Sequence, residues 1–398
     1  MVLLFYFFAA ILILLSFKSF RGGVEYLRFF ESELAKPASD FTPFVTVIVP
    51  CRGLDTGLEN NLRALIEQDY SDYEVIFVLD DKNDEAVPII ENISRECTKD
   101  AKIIVAEKAV NCSQKVENLR EAVLHAADES EAFAFVDSDA RPSKNWLRSL
   151  AAPLQDKTVG ASTGYRWFIS ERSGIASEML SAWNASIASA LGPKTKTNFC
   201  WGGSMAIRRD VFEQIDMREK WRGTLSDDFA VTRALKDVGL PIVFVPQALT
   251  ASVEDRSFGE LLGFTTRQMK ITRVYAPRLW LLSFFGSGVF NTVTIAALLI
   301  IVSNRQNDFV MFAAIATILL VSIFSIGKSW LRLKAVKLVL NAYKTELDRQ
   351  FLPQNTLWLL TPALFLYNSF AALLSRRLKW RGITYELKSP TETVIITD

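Results

Sequence analysis

The sequence has almost no histidine and little cysteine, which argues against several kinds of chemistry. With one histidine, His125, a catalytic triad built on histidine, a two-histidine metal site and imidazole base catalysis are all disfavoured. The four cysteines are far apart and form no Cys-x-x-Cys pair, so we predict reduced thiols and no zinc site at Cys51, Cys97, Cys112 and Cys200. Any acid–base chemistry must therefore rest on carboxylates.

Two phosphate-binding signatures and a strong net charge are also absent. The chain contains neither G-x-G-x-x-G nor G-x-x-x-x-G-K, so neither the dinucleotide fingerprint nor the Walker loop is predicted. The formal net charge is +1, so the overall field does not favour nucleic acid, and we predict no nucleic-acid partner.

Apolar residues, in contrast, make up half of the chain and are concentrated in four runs. Each run is close to the roughly 20 apolar residues that cross a bilayer. The sequence therefore predicts a membrane protein with apolar segments at Val2–Phe17, Leu279–Val302, Phe309–Ile326 and Leu357–Leu374.

Charges beside these runs predict the orientation. A signal peptide has its basic region in front of the apolar run, but Lys18 and Arg21 follow the first run, which favours an uncleaved anchor and a cytoplasmic domain after it. The basic segment Thr266–Arg278 precedes the second run in the same way. We interpret Trp330–Tyr343 as an interfacial helix, with a solvated connector helix as the alternative.

The last apolar run is harder to interpret. A full span would place the basic residues 376–381 outside the cell, against the charge rule. Pro353 and Pro362 instead suggest a broken or re-entrant segment.

Between the first two runs, strands alternate with helices. Val45–Val49, Val75–Leu79 and Ala132–Val136 are rich in β-branched and aromatic residues, while Leu58–Gln68 has apolar residues at helical spacing. This alternation predicts an α/β fold with a mainly parallel sheet. Right-handed crossovers would place the carboxyl ends of the strands along one edge.

Polar residues follow these strands at that edge. Arg52 follows the first strand, Asp80 the second, and Asp137 and Asp139 the later one. The two aspartates lie on the same side of an extended chain and could hold Mg²⁺ or a similar ion that also binds diphosphate oxygens. Asp80 could accept a hydrogen bond from a pyrimidine base. The alternative is an acidic turn without a metal.

Two further segments carry candidate charges. Lys115 lies at the start of a helix, where an ammonium group and backbone amides suit an anion, although a solvated surface lysine is the alternative. Further on, Ser226 or Asp227 can cap the helix that follows. Capping explains one acidic residue there but does not require the second, Asp228.

Taken in order, these motifs resemble the family 2 type of inverting glycosyltransferases with a GT-A fold. The arrangement is most similar to the ceramide glucosyltransferase-like branch and its bacterial hopanoid-type relatives. The resemblance covers about residues 44–275, with a weaker similarity at 380–385, and rests on Val-Pro-Cys-Arg52, Leu-Asp80-Asp81, Lys115-Val-Glu-Asn-Leu, Asp137-Ser-Asp139 and Ser226-Asp227-Asp228-Phe.

The resemblance implies a role for each matching residue. Asp80 would bind the base of a UDP-sugar and Lys115 the nucleotide, with Arg52 beside them. Asp137 and Asp139 would hold Mg²⁺ or Mn²⁺, with Asp137 also at the nucleotide. Asp228 would be the catalytic base that takes the proton of the acceptor hydroxyl.

One segment departs from the family pattern (Gln/Arg)-x-x-Arg-Trp. The corresponding region reads Arg267-Gln268-Met-Lys270-Ile271. Arg267 and Lys270 are the candidates for contacting the donor there, but a lysine lacks the two-pronged geometry of arginine. Ile271 cannot replace the indole ring, so the resemblance does not extend to the tryptophan of this pattern.

We therefore expect a multi-pass membrane enzyme with three parts: an anchor at residues 1–20, a cytoplasmic GT-A domain at 40–275 and a membrane region with a short tail at 276–398. The expected activity is transfer of one sugar from a nucleotide-sugar to a lipid such as a ceramide, hopanoid or glycerolipid. The alternatives are a processive polysaccharide synthase and a membrane-anchored nucleotide-binding protein without catalysis.

Overall fold

The computed structural model describes residues 2–96, 99–303 and 308–396, so Cys97 lies outside the described residues. The chain divides into two compact units, each built from three separate segments. We call the first the sheet unit, Ser32–Glu171, Ala190–Glu254 and Arg376–Asp398, and the second the helical unit, Met1–Glu31, Arg172–Ser189 and Asp255–Ser375. Cys51, Cys112 and Cys200 are free thiols, as predicted.

Twelve strands are present in the described residues, nearly all of them short. They are Val45–Pro50 (β1), Tyr73–Leu79 (β2), Asp100–Val105 (β3), Ala132–Phe135 (β4), Ala161–Thr163 (β5), Arg166–Ile169 (β6), Met205–Arg208 (β7), Ile242–Phe244 (β8), Thr250–Val253 (β9), Arg377–Trp380 (β10), Ile383–Ser389 (β11) and Glu392–Ile396 (β12).

Fifteen α-helices are present in the same residues. They are Val2–Leu34 (α1), Leu58–Ile66 (α2), Val87–Glu96 (α3), Gln114–Ala122 (α4), Trp146–Ala151 (α5), Ile175–Ala188 (α6), Arg209–Gln214 (α7), Met217–Lys220 (α8), Asp227–Asp237 (α9), Phe258–Tyr275 (α10), Pro277–Ser303 (α11), Asp308–Val339 (α12), Lys344–Arg349 (α13), Phe351–Thr356 (α14) and Thr361–Leu374 (α15).

The main sheet has seven strands in the order β3-β2-β1-β4-β7-β5-β8. The neighbours β3-β2-β1-β4 are all parallel, while β7 runs antiparallel to both β4 and β5. Pro50 lies opposite Val78, and Ile48 opposite Phe135, so these three strands end at one edge. The predicted mainly parallel α/β sheet is confirmed. The loops that carry Arg52, Asp80 and Asp137 therefore leave from the same edge.

The central strands are buried on both faces, as expected for parallel strands covered by helices. Under one face, the aromatic rings of Phe135 and Phe212 pack against Trp221, with centroids 5.5 and 5.3 Å from the indole ring. Trp221 is fully buried, and its indole N–H donates to the carbonyl of Asp227 at 3.1 Å. The core thus fixes the start of α9, where the acidic pair lies.

The end of the chain forms a second sheet instead of an irregular tail. Strands β10, β11 and β12 pair antiparallel, and this sheet belongs to the sheet unit. Residues 172–189 and 255–275, in contrast, belong to the helical unit. Sequence patterns could not predict this division, because it depends on which distant segments pack together.

Three helices of the helical unit are long and apolar enough to cross a membrane: α1, α11 and α12. The first is longer than its apolar run and continues to Leu34. The predicted interfacial segment does not form a helix of its own, because Trp330–Val339 continues α12 without a break. The helical path through the last apolar run bends by 57° between Leu359 and Thr361, which agrees with a broken or re-entrant segment and not with a straight span.

Candidate active site

A buried lysine joins two of the predicted acidic residues. The Lys115 ammonium lies 2.7 Å from Oδ1 of Asp137 and 3.1 Å from Oδ1 of Asp227. Its side chain is 13% exposed, so the charges interact away from most solvent. The solvated-surface alternative for Lys115 is therefore wrong, and the end of β4 and the start of α9 meet at this side chain.

An arginine that the sequence analysis did not single out also binds Asp137 and joins it to Asp139. Arg166, on β6, lies 3.1 Å from Oδ2 of Asp137 and 3.1 Å from Oδ2 of Asp139. Its guanidinium also stacks against the indole of Trp201, 4.5 Å from the ring centroid. The five charged groups form one chain, Asp227–Lys115–Asp137–Arg166–Asp139, which we call the charge chain.

The charge chain shifts the pKa values of Asp137, Lys115 and Asp227. Burial opposes the ionisation of Asp137, but the cations of Lys115 and Arg166 outweigh it and hold its pKa below the usual range. Burial also disfavours the charged form of Lys115, yet its acidic neighbours raise its pKa. Burial is the largest effect on Asp227 and raises its pKa to about 6, against the attraction of Lys115. Near neutral pH, the charge chain therefore contains both positive and negative side chains, whose partners can change when a charged ligand binds.

Capping contacts position Lys115. Ser113 precedes α4, and its hydroxyl oxygen accepts the backbone N–H of Val116 at 3.2 Å. The same hydroxyl donates to the carbonyl of Leu225 at 2.7 Å, and the Ser113 N–H donates to the carbonyl of Thr224. One serine therefore joins the start of α4 to the loop before α9. This contact explains why the lysine and the acidic pair lie together although they are far apart in sequence.

Gly202 has to be a glycine because its backbone lies too close to the charge chain for any side chain to fit. A Cβ at Gly202 would lie 2.1 Å from Oδ2 of Asp227 and 2.9 Å from Nζ of Lys115. At Gly203, a Cβ would lie 2.8 Å from Oδ2 of Asp137. The two glycines before β7 therefore let backbone lie directly against the charge chain.

Asp228 makes its direct contacts with other partners, although its charge is near enough to help raise the pKa of Lys115. Its Oδ1 accepts from the Ser226 hydroxyl at 2.5 Å and from the Phe229 N–H at 2.7 Å, and its Oδ2 accepts from the Gly202 N–H at 3.3 Å. Ser226 makes no side-chain cap to the helix backbone. Asp228 is half-buried whereas Asp227 is buried. The two adjacent aspartates therefore have different surroundings, so capping does not explain the pair.

Asp80 lies at the end of the neighbouring strand, between two cations. Its Oδ2 accepts from Arg52 at 3.1 Å and from Lys108 at 2.7 Å. The Asp80 side chain is buried, while Lys108 is largely exposed. Arg52 and Asp80 are thus brought together as predicted, and Lys108 joins them. The edge of the sheet holds two sets of charges, one after β1 and β2 and one after β4.

A comparison of the sequence with protein-family models shows the family of this chain. The family model for glycosyl transferase family 21 matches residues 7–393, which is nearly the whole chain. The chain belongs to this family. The glycosyltransferase class predicted from the ordered motifs is thereby confirmed.

Curated relatives agree with the predicted branch. The glycosyltransferase is 30% identical over 123 residues to ceramide glucosyltransferase from Candida albicans, an alignment that covers 28% of this chain and 22% of the relative. It is also 30% identical over 81 residues to ceramide glucosyltransferase 3 from Caenorhabditis elegans, covering 20% and 18%. The chain therefore spans about a fifth of the length of each curated relative that it matches.

Solved structures show a distant likeness. The mannosyltransferase PcManGT from Pyrobaculum calidifontis, in complex with GDP-Man and Mn²⁺, is 17% identical, with 92% of this chain and 99% of that chain covered at a TM-score of 0.48. Glucosyl-3-phosphoglycerate synthase from Mycobacterium tuberculosis, with Mn²⁺ and UDP-glucose, is 15% identical, with 61% and 80% covered at a TM-score of 0.35. The parallel order of the central strands and the family match support the GT-A assignment.

The residues of the glycosyltransferase fit a metal ion that is shared with a substrate. Among the described residues, no group of three or more His, Cys, Asp or Glu side chains could hold a metal by itself. Asp137 and Asp139 lie together, however, and Oδ1 of Asp139 is buried without a hydrogen-bond partner. Mg²⁺ is commonly bound by one or two carboxylates together with substrate phosphates. These two aspartates therefore suit a metal that a diphosphate completes.

Two predicted residues belong to the helical unit. Arg267 and Lys270 are on α10, which belongs to the helical unit. Burial lowers the pKa of Lys270, and the guanidinium of Arg267 lies 5.2 Å from the ring centroid of Phe264. Their predicted contact with the donor stays a prediction.

Sequence reasoning missed Arg166, Lys108 and the ionic role of Asp227. Arg166 had one visible signal, because it is a lone charge beside the apolar run Trp167–Ile169. A charge in such a run needs a partner when the strand is buried. Lys108 gave no such signal, since its loop has no periodic pattern.

Proposed function

We propose that this glycosyltransferase transfers one sugar from a UDP-sugar to the hydroxyl group of a membrane lipid, with inversion at the sugar carbon. The observation that carries the proposal is the charge chain, in which acidic and basic groups from β4, β6, α4 and α9 meet at one edge of the sheet. Family membership supports sugar transfer, and the ceramide glucosyltransferase relatives support a lipid acceptor.

The proposed reaction is a direct displacement. The acceptor oxygen forms a bond to the sugar carbon as the bond from that carbon to the diphosphate breaks, and UDP leaves with the electron pair. Asp228 takes the acceptor proton, since its half-buried carboxylate is held by Ser226 and the Gly202 N–H and is not tied up by Lys115. No covalent intermediate with the protein is needed.

The remaining charged residues would bind the donor. Asp80, held by Arg52, would accept from the base, and Lys115 would contact the nucleotide. Asp137 and Asp139 would hold Mg²⁺ or Mn²⁺, which when bound neutralises the diphosphate charge. Arg267 and Lys270 on α10 remain proposed donor contacts.

A lipid acceptor agrees with the apolar helices. Three helices are long and apolar enough to cross a membrane, which exceeds what simple tethering requires. The basic residues after the first apolar run favour a cytoplasmic position for the domain at 40–275. We therefore propose a multi-pass membrane enzyme that acts where the lipid hydroxyl meets the cytoplasm.

Product analysis tests this function directly. Purified full-length protein in lipid nanodiscs containing ceramide, diacylglycerol or hopanoid lipids is incubated with a panel of UDP-sugars and Mn²⁺, and the lipids are analysed by mass spectrometry. We expect one lipid class to gain a single sugar. Long saccharide chains would favour the polysaccharide synthase, and nucleotide binding without any product would favour the non-catalytic alternative.

The role of Asp228 is tested by Asp228→Asn. We expect sugar transfer to fall by at least about a hundredfold, because the amide cannot accept the hydroxyl proton, while UDP affinity stays within about twofold. The matched control is Asp237→Asn, at the exposed end of the same helix, which should leave transfer unchanged. Unchanged turnover in Asp228→Asn would rule out this residue as the base.

A further inference from the structure

The turn between β10 and β11 carries an arginine in an unusual backbone conformation. Arg381 has φ +49° and Gly382 has φ +82°, so both turn residues are left-handed. This pattern closes a two-residue hairpin, in which Asn-Gly or Asp-Gly is the usual pair. An arginine is rarely found there, because its Cβ is crowded in this conformation. Strain of this kind is often found at functional sites.

The side chain of Arg381 reaches the carboxylates of the sheet edge. Its Nη2 donates to Oδ1 of Asp55, a residue 326 positions earlier in the chain. Oδ2 of Asp55 accepts from the hydroxyl of Ser138 at 2.6 Å, and Ser138 lies between Asp137 and Asp139. The contact with Asp55 therefore places the guanidinium beside the pair of aspartates that suits a metal.

The hairpin is attached to the site at two further points. The hydroxyl of the buried Tyr385, on β11, accepts the N–H of Gln114 at 3.2 Å, next to Lys115. The second point is Gly223, where an added Cβ would lie 2.2 Å from the carbonyl oxygen of Thr391. The turn before α9 therefore packs directly against the residue that precedes β12. These contacts attach the three-stranded sheet to the start of α4 and to the turn before α9, and so position the hairpin that carries Arg381.

The hydrogen-bonding capacity of Arg381 is used only in part by its direct partner. Asp55 is the one hydrogen-bond partner of its guanidinium among the described residues, and this group has five N–H donors. Its side chain is 39% exposed, whereas that of Asp55 is 10% exposed. Burial opposes its charge, but Asp55, Asp139 and Asp137 hold the pKa of Arg381 above its ordinary value. A permanently charged guanidinium with unused N–H groups therefore lies at the edge of the sheet where the nucleotide-sugar would bind.

We propose that Arg381 binds the diphosphate of the nucleotide-sugar donor and balances its charge when UDP leaves. The inference rests on the proposed function and extends the donor site to the last strands of the chain. Arginine suits this task because its planar fork can bind two phosphate oxygens at once. Asp55 holds the guanidinium in position when no donor is bound and competes with phosphate for it.

The test measures UDP and uridine binding to the full chain in nanodiscs with Mn²⁺, by calorimetry for UDP and ligand-observed NMR for uridine. We expect Arg381→Ala to weaken UDP binding about tenfold or more, and Arg381→Lys to weaken it less, because lysine keeps the charge but not the fork. Uridine binding should stay within about twofold, since it has no phosphate. Arg377→Ala is the matched control, on the same hairpin but paired with Glu386.

Asp55→Asn separates donor binding from a merely structural role. If Arg381 binds phosphate, removing its competitor should leave UDP affinity unchanged or increase it. A loss of UDP affinity as large as that of Arg381→Ala would show that the pair only holds the fold, and would overturn the inference. Unchanged UDP affinity in Arg381→Ala, or an equal loss for uridine, would also overturn it.

The outcome for the unsubstituted protein distinguishes the inference from the proposed function. If the unsubstituted protein transfers sugar and Arg381→Ala leaves UDP affinity unchanged, the inference is overturned but the proposed function is not. Failure of the unsubstituted protein to bind UDP would overturn the UDP-sugar donor and the inference with it.

Discussion

At the scale of single residues, the site depends on cations that lie between carboxylates. Lys115 joins Asp137 to Asp227, and Arg166 joins Asp137 to Asp139. Bringing such carboxylates together without cations would be costly, because like charges in a buried site repel strongly. The two cations therefore allow three acidic residues to lie close together in the protein without a bound ligand.

This arrangement predicts how stability depends on pH in Lys115→Met. The raised pKa of Lys115 means that its charge stabilises the fold at any pH below about 10. Without it, Asp137 and Asp227 face each other, and the pKa of Asp227 rises further because Lys115 no longer favours its ionised form. Ionising this carboxyl group beside Asp137 therefore costs more as the pH rises. We expect a loss of about 3 kcal/mol at pH 8 and a smaller loss at pH 5, measured by thermal unfolding.

The control for this prediction is Lys194→Met, which removes an exposed lysine of the same unit. It should leave the unfolding temperature unchanged at both pH values. A Lys115→Met deficit that is equal at pH 5 and pH 8 would contradict the ionic explanation and would favour lost packing.

At the scale of elements, the site is formed by the ends of strands and the starts of helices. Parallel pairing of β1, β2 and β4 brings three loops to one edge, and Ser113 joins the start of α4 to the loop before α9. The loop before β7 lies across these ends with glycine at its closest point. The strands and helices therefore position the side chains that lie at or just beyond their ends.

Gly202→Ala tests the close approach of that loop. The new Cβ would lie 2.1 Å from a buried oxygen of Asp227, which Lys115 holds in place, so backbone or side chain must shift. We expect a loss of stability of about 1–3 kcal/mol and a clear loss of UDP affinity. Gly192→Ala, where a Cβ has no atom within 4 Å, is the control. Normal UDP binding by Gly202→Ala would contradict the proposed position of the donor.

At the scale of the whole molecule, two compact units are each assembled from three segments. The sheet unit holds the charge chain and includes the end of the chain, while the helical unit holds the three helices that could cross a membrane. Because the segments alternate in sequence, neither unit corresponds to one continuous stretch. A truncation at either predicted domain boundary would therefore cut through a folded unit.

Ligand-linked stability of the full chain tests the proposed metal. A ligand that binds only the folded state raises the unfolding temperature by mass action. We expect UDP with Mn²⁺ to raise it by several degrees, and UDP with EDTA to have almost no effect, because Asp137 and Asp139 alone repel the diphosphate. Asp139→Asn should abolish the Mn²⁺ dependence. An equal shift with EDTA would remove the metal role of these aspartates.

Much of the fold followed from local patterns, for a physical reason. Strands and apolar helices are set by short-range periodicity and by burial, so β1, β2, β4 and the long helices could be predicted from neighbouring residues. Asp80, Asp137 and Asp139 could be predicted as candidates because they directly follow such strands. The sequence alone thus determined the fold class, the apolar segments of the helices that could cross a membrane and most acidic candidates.

Only the tertiary structure decided which charges pair with which. The partners of Asp137 are Lys115 and Arg166, which lie on different elements, and Arg381 reaches Asp55 from 326 residues away. Such pairs depend on strand order, on the antiparallel β7 and on the packing of the last three strands, none of which leaves a local pattern. Side chains that meet through long-range topology are determined by the free energy of the whole fold, not by their neighbours in sequence.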